Sequence, residues 1–230
     1  MSVLYMVATP IGNLEDLTLR AIATLKKVSL VAAEDTRRTL ALLTHLGIRV
    51  TMLSCRAYNE DAAAAKIIAV LNEGKDVAYV SDAGSPALSD PGALLAHKTA
   101  ANGHLVVPVP GPSAFSTLVS VAGFSGKTIV FEGFLSPKSG RRRTRLKTLL
   151  DMEVVFVVYE SPFRILKLLF DLAELDSARA VCAGREMTKL HEEFIRGTAA
   201  EVFALLSERK DIRGEFAVCV SGNKADEKKI

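Results

Sequence analysis

Cysteine is scarce: three residues in 230, at Cys55, Cys182 and Cys219, with no CxxC pair among them. That spacing excludes the common zinc modules and dithiol redox motifs. Cys182 and Cys219 sit inside apolar runs and read as buried hydrophobes, and the pattern fits a reducing compartment. The four histidines (His45, His97, His104 and His191) have no metal-ligand spacing, so no metal site is expected. His45, His97 and His104 read as surface or cap residues. No apolar run approaches the ~18 residues of a membrane span. The first eight residues lack a basic n-region and break at Thr9-Pro10, so no secretory signal and a cytoplasmic location are expected. GxGxxG after the first strand, GxxxxGK[ST] and GxSxG are all missing, which weighs against a Rossmann dinucleotide site, a P-loop and a serine hydrolase. Charge of one sign is not in large excess either. A net charge of +3 and a pI near 8.7 permit a nucleic-acid partner without demanding one.

Hydrophobic residues make up 49% of the chain, enough for a packed core. Disorder is expected only from Asn223 to Ile230, a polar and mostly charged end. Short β-branched runs alternate with longer stretches of helical period. Strands are expected at Val3 to Ala8, Leu30 to Ala33, Val50 to Ser54, Val77 to Val80 and Leu105 to Val109. Helices between them are expected at Leu17 to Lys27, Arg37 to Leu46, Asp61 to Asn72 and Pro91 to Ala101. The strands are apolar on both faces, which indicates a mainly parallel sheet covered by helices on both sides. After Pro110-Gly111-Pro112 the pattern restarts. Helices are expected at Ala114 to Ala122, Phe163 to Leu175 and Ala199 to Glu208. Strands are expected at Thr128 to Glu132, Val154 to Tyr159, Ala178 to Ala183 and Phe216 to Ser221, with a short antiparallel one at Glu193 to Gly197. Ser136 to Arg145 reads as a Pro/Gly/Arg-rich stretch. The fold class is therefore α/β, with two αβα domains at 1–111 and 112–230, the first sheet mainly parallel and the second mixed.

Ligands of open parallel sheets bind at the carboxyl ends of the strands. Here those ends carry turn and charged residues in six successive loops: Thr9 to Asn13, Glu34 to Arg38, Ser81 to Pro86, Pro110 to Ala114, Tyr159 to Pro162 and Gly184 to Lys189. Glycine admits a ligand close to the backbone and proline fixes the loop shape. A second signal is basic: Lys138, Arg141, Arg142, Arg143, Arg145 and Lys147 fall within ten residues with no acidic neighbour. Either they form a flexible loop that neutralises phosphates, or they are a solvated helix face or linker. Arg37, Arg38, Arg164 and Arg185 add cations at the strand ends, and Arg56 is a further candidate. Tyr58, Phe134, Tyr159 and Phe163 are the candidate stacking partners for bases.

The motifs T-P-I-G-N, A-A-E-D-T-R-R, S-D-A-G-S-P-x-x-S-D-P-G, P-V-P-G-P-S-A, F-E-G-F-L, Y-E-S-P-x-R, R-E-x-T-K-L-H-E-E and R-G-E-F occur in that order from about Tyr5 to Val220. Together they resemble the ribosomal RNA small subunit methyltransferase I family, within the tetrapyrrole-methylase-type (class III) methyltransferases. The resemblance implies S-adenosylmethionine in a cleft between two αβα domains, and a homodimer. It implies cofactor contacts at Pro10, Asp82, Gly84, Ser85, Pro86, Ser113 and Ala114, and at the strand-end positions Tyr159, Met187 and Ala217. It also implies methylation of a cytidine 2′-hydroxyl in 16S ribosomal RNA, free or in the small subunit. Arg37, Arg38, Arg141, Arg142, Arg143, Arg145 and Arg164 are then the candidate RNA contacts. Position 163 is Phe where the family often has His, and many members extend several dozen residues beyond the last strand. A ribose hydroxyl is a weak nucleophile at neutral pH, so a base or a nearby cation should assist it. Glu160, Glu186 and Lys189 are the candidates, with Glu34, Asp35 and Arg37 as possible counterparts in the first domain. Alternatives are a small-molecule methyltransferase acting on a cobalt-precorrin-like ring, a diphthine-synthase-like protein methyltransferase, or a non-catalytic RNA-binding assembly factor.

Overall fold

A computed structural model describes residues 2–222, and the charged end from 223 lies outside them. These residues fall into two compact units, the first ending at Ser113 and the second beginning at Ala114. The division comes two residues later than the expected 111/112.

The first unit runs β1 (Val3–Val7), a 3-10 turn (Leu14–Asp16), α1 (Leu19–Lys27), β2 (Leu30–Ala33), α2 (Thr36–His45), β3 (Thr51–Ser54), α3 (Glu60–Asn72), β4 (Val77–Val80), α4 (Ala93–Ala101) and β5 (Leu105–Val109). Its strands pair in parallel in the order β3-β2-β4-β1-β5. Successive side chains of a strand face opposite ways, and the core divides accordingly. Leu4, Leu30, Ala32, Val77 and Tyr79 pack against Ile67, Leu71 and Leu95 of α3 and α4. Val7, Val31, Ala33, Ala78 and Val80 pack against Ala21, Leu25 and Leu43 of α1 and α2. Start signals agree with the helices seen: Thr18 caps α1 by accepting from Ala21 N–H, and Asp35 caps α2 by accepting from Arg37 N–H. The buried Glu60 carboxylate accepts from Gly92 N (2.9 Å) and Leu95 N (3.0 Å), giving α4 an anionic cap from a neighbouring helix.

The second unit runs α5 (Ala114–Ala122), β6 (Ile129–Phe134), α6 (Ser139–Asp151), β7 (Val155–Glu160), α7 (Ile165–Leu175), β8 (Ala180–Arg185), β9 (Glu193–Thr198), α8 (Ala199–Ser207) and β10 (Phe216–Val220). The sheet order is β6-β7-β10-β8-β9. Only β6 and β7 are parallel; β10 runs against β7 and β8, and β9 against β8. The mixed sheet and the antiparallel strand at 193 are as expected. One face carries Phe156, Val158, Val181, Ala183 and Val218 against α6, α7 and α8. The other carries Val155, Val157, Cys182, Ala217 and Cys219 against Leu118 and Ala122 of α5. All three cysteines are buried and free, and Cys182 lies directly opposite Cys219 across the β8–β10 pairing.

The Pro/Gly/Arg-rich stretch at 136–145, read either as a flexible loop or as a solvated helix face, is from Ser139 helix α6, and the correction is that the helix is not solvated all round. Its buried stripe is Arg142, Leu146, Leu149 and Leu150, with the spacing of a helix face. An arginine at the first of those positions hides the apolar period. It is tolerated inside because Asp171 of α7 meets it at 2.6 Å.

Candidate active site

In the first unit β1 and β4 are neighbours whose connections leave in opposite senses. From β1 the chain passes through α1, on one face, to β2. From β4 it passes through α4, on the other face, to β5. Ligands of open parallel sheets bind at the carboxyl ends of strands beside such a switch point. Those ends carry the loops after β1 and β4. Thr9 and Gly84 exchange both backbone hydrogen bonds at 2.9 Å, and the Thr9 hydroxyl donates to Ser81 O at 3.2 Å. Gly84 has φ +78°, a left-handed conformation that suits glycine, and its Cβ side faces Ile11 Cγ2. Ala87 and Ser89 also sit at φ 66°, so the loop from 81 to 92 is held in strained backbone rather than running straight into α4. Pro10, Asp82, Ser85 and Pro86 are half-buried along these loops, and Ser113 is buried at the end of the unit. Gly111 brings the loop after β5 against Ala8, where a Cβ would lie 3.1 Å from the alanine methyl.

The loops after β2 and β4 are tied together by acids. Asp82 Oδ1 accepts from Asp35 N at 2.9 Å, and Glu34 Oε2 accepts from Asp82 N at 3.3 Å. Arg38 lies 3.7 Å from Asp82. Burial, then Asp82, pushes the Glu34 carboxyl up, against the pull of the Asp82 N–H, Arg38 and Arg56. Asp90 is pushed up to about 7, by burial first and then by Glu34 and Asp82. Folding therefore favours its protonated form. The native state binds more protons than the unfolded one from about pH 4 to 7, so stability falls as pH rises through that window. Asp90→Asn is expected to remove this dependence: urea midpoints of the two proteins lie close together near pH 4, and the variant is increasingly the more stable from there to pH 8. A wild-type midpoint that rises over this range relative to the variant would refute the assignment.

In the second unit Tyr159, Ala217 and Gly184 stand in one row across β7, β10 and β8. Ala114, Tyr159, Met187 and Ala217 belong to the same apolar cluster at this edge. Met187 folds back over Gly184, where a Cβ would lie 2.7 Å from the methionine sulfur. Tyr159 is fixed by edge-to-face packing on Phe131 and Phe134, at 4.9 and 5.8 Å between centroids. The cofactor positions inferred for this half are thus brought together.

The three proposed catalytic groups are not one cluster. Glu160 is buried at the end of β7, accepting from Ser161 N (2.8 Å) and paired with Arg164 (2.7 Å). It braces the start of α7. Glu186 and Lys189 stand together after β8, joined at 2.9 Å, and Glu215 meets the same ammonium at 2.8 Å. The part played by Glu215 and Gly214 is not evident from the residues alone; their only signal is the R-G-E-F motif.

The expected RNA contacts divide sharply. Arg142 is withdrawn, because its side chain is 4% exposed and committed to Asp171. Arg143 reaches the same carboxylate at 3.3 Å, and Arg145 is bound by both oxygens of Glu132. Arg37 is exposed but chelated by Asp35, whose carboxyl is held well below its usual range by hydrogen bonds from that guanidinium and backbone. Arg164 is taken by Glu160. Arg38 and Arg141 remain exposed, and Arg141 has no ion pair among the described residues. Phe163 is 88% exposed on the turn after β7.

Comparisons with known proteins bear on this geometry. The pattern of the Tetrapyrrole (Corrin/Porphyrin) Methylases matches residues 3–202. The "Ribosomal RNA small subunit methyltransferase I" of Thermotoga maritima is 46% identical over 222 residues, 96% of this chain and 99% of that one. The protein of the same name from Bacillus subtilis is 41% identical over 227 residues, 99% of this chain and 77% of its own. Among solved structures, uroporphyrin-III-C-methyltransferase from Thermus thermophilus has a TM-score of 0.67 at 19% identity, covering 96% of this chain and 95% of that one. Cobalt precorrin-4 methyltransferase, a cobalamin biosynthetic enzyme, has a TM-score of 0.68 at 15% identity, covering 95% of this chain and 94% of its own. Those two likenesses speak to the fold alone. The sequence matches go further: the chain belongs to the tetrapyrrole methylases and, among them, to the ribosomal RNA small subunit methyltransferase I family.

Proposed function

We propose that the chain transfers a methyl group from S-adenosylmethionine to the ribose 2′-hydroxyl of a cytidine in 16S ribosomal RNA, free or within the small subunit, and works in the cytoplasm as a homodimer. The observation that carries this reading is the near full-length identity to methyltransferases of that name. No helix among the described residues is long and apolar enough to cross a membrane.

The residues present suit the donor. Pro10, Asp82, Gly84, Ser85, Pro86 and Ser113 are assigned to it in the first unit, where half-buried loops of small and polar side chains suit a polar amino-acid end. Ala114, Tyr159, Met187 and Ala217 are assigned to it in the second, where an apolar cluster ending in an aromatic ring suits adenosine. When bound, the donor would supply an electrophilic methyl carbon to the ribose oxygen, with the sulfur as leaving group and the hydroxyl proton passing to a carboxylate or water. The protein's share is orientation and exclusion of water, which can supply about 7–11 kcal/mol at best. Arg38 and Arg141 are assigned to RNA phosphates. Arg37, Arg143, Arg145 and Arg164 would have to exchange a carboxylate for one.

The test is tritiated methyl transfer from the donor to small subunits lacking the modification, followed by mapping of the labelled nucleotide. Label on a cytidine ribose is expected. Label in a tetrapyrrole and none in RNA would replace this reading with the small-molecule one. No uptake of the donor in calorimetry would leave only a binding role.

A further inference from the structure

Lys189 is held by an arrangement that costs the backbone more than a surface ion pair returns. Its ammonium meets Glu186 Oε1 at 2.9 Å and Glu215 Oε2 at 2.8 Å. The same Glu186 oxygen accepts from Glu215 N at 2.8 Å, and Glu186 N donates to Glu215 O at 3.0 Å, so the two chain segments lock around one carboxylate. Glu186 and Thr188 both adopt left-handed backbone, at φ 48° and 67°. Gly214, at φ +91°, leaves the space that the Glu186 carboxyl occupies; a Cβ there would lie 2.7 Å from Cδ and 2.8 Å from Oε1. Two strained non-glycine residues and one obligatory glycine thus serve a single lysine. Partly exposed ion pairs stabilise little, and strain of this kind gathers at functional sites.

An ammonium has three N–H donors. Two are committed to Glu186 and Glu215, and no third partner is found among the described residues. Within hydrogen-bond reach the ammonium meets two carboxylates, one charge more than it neutralises, while the Arg185 guanidinium acts on Glu186 from farther off. That disfavours a phosphate as the remaining partner and favours an uncharged oxygen.

We propose that the third N–H of Lys189 donates to the oxygen of the acceptor ribose hydroxyl, Lys189 being a catalytic residue and Glu186 and Gly214 the positioning residues that aim it. This rests on the methyl-transfer reading above. Burial pulls the Lys189 ammonium down, but its bonds to Glu186 and Glu215 outweigh that and raise the group overall, so it stays charged at neutral pH. Burial likewise pushes Glu186 up, and Lys189 with the Glu215 N–H outweighs it, so the carboxylate stays ionised. A cation on the hydroxyl oxygen makes its proton easier to lose to solvent water as the oxygen–methyl bond forms and the methyl–sulfur bond breaks, its electron pair staying on sulfur. Glu186, otherwise a candidate base, acts through the lysine instead.

The experiment measures tritiated methyl transfer to unmodified small subunits by the full chain and by Lys189→Met, Lys189→Arg and Glu186→Gln. Lys189→Met is expected to lower kcat by about 100-fold, and Glu186→Gln by about 10-fold. The donor Kd from calorimetry and the KM for subunits should stay within about threefold of wild type. Lys189→Arg should recover part of kcat. A Lys189→Met protein that binds donor normally and keeps kcat within about threefold overturns the proposal. So does a loss confined to the KM for subunits, which would make the lysine a phosphate anchor. If Lys189→Met does not fold, full activity of Glu186→Gln overturns it equally. Wild-type chain that binds donor but labels no RNA sinks the functional reading itself, and this inference with it. Labelling by wild type and by Lys189→Met alike sinks the inference alone.

Discussion

Asp171→Ala is expected to lower the stability of the second unit by about 3–5 kcal/mol, as removal of one partner of a buried ion pair does. Arg142 meets Asp171 at 2.6 Å through Nη2 and 2.8 Å through Nε, and both side chains are 4% exposed. Without the carboxylate, the guanidinium keeps one weak acceptor, Pro137 O at 3.3 Å. Arg143 loses its partner as well, but it is near the surface and water can replace it. Domains of this kind are stable by about 5–15 kcal/mol, so the loss is a large fraction of the total. Replacing both residues, Arg142→Met with Asp171→Leu, should recover most of it, because nothing charged is then left inside. Urea denaturation followed by circular dichroism measures both. A single-variant loss below about 1 kcal/mol would mean that the arginine finds water or another acceptor. Added salt should change little, since the pair is shielded from it.

Gly84→Val is the second large effect, and it falls on donor binding. A β-branched residue at φ +78° is strained by about 1–3 kcal/mol. The chain can relieve that by rotating residue 84, which breaks its paired bonds to Thr9 and spreads the loops after β1 and β4. A donor Kd about 100-fold weaker, equivalent to about 2.8 kcal/mol, is expected in calorimetry. Gly47→Val is the control: Gly47 has φ +66° with open space beside it, after α2 and away from these loops. It should cost stability and leave donor affinity alone. Equal donor affinity in wild type and Gly84→Val would dissociate these loops from the donor.

The strands of both units were legible because each is a short apolar run closed by turn residues, and the helices because their apolar positions recur with the right period. What escaped has physical causes. Helix α6 carries Arg142 where the period calls for an apolar residue, and only the partner on α7 makes that acceptable inside. Ala87 and Ser89 are left-handed without being glycine, so no residue type advertises the bend. The candidate cofactor positions in the second unit were readable as strand ends, because the register of β7, β10 and β8 turns strand ends into neighbours. The bracing of Lys189 was not, since Glu186 and Gly214 are far apart in sequence and meet only because β8 and β10 pair. The basic cluster misled for the opposite reason. Charge counted along the chain ignores which carboxylates the fold delivers to it, and Glu132 and Asp171 claim three of those arginines.

The three thiols have a use that follows from where they lie. Burial pushes Cys55 up to about 11, with Glu60 adding to it, and Cys219 up to about 12, with Cys182 adding to it. Alkylating reagents attack the thiolate, so a sequestered thiol of this kind is modified only when the polypeptide around it opens. Cys55 belongs to the first unit, and Cys182 and Cys219 to the second. Their labelling rates in native buffer, resolved by peptide mass spectrometry, thus form a built-in pair of clocks, one timing the opening of each half of the molecule.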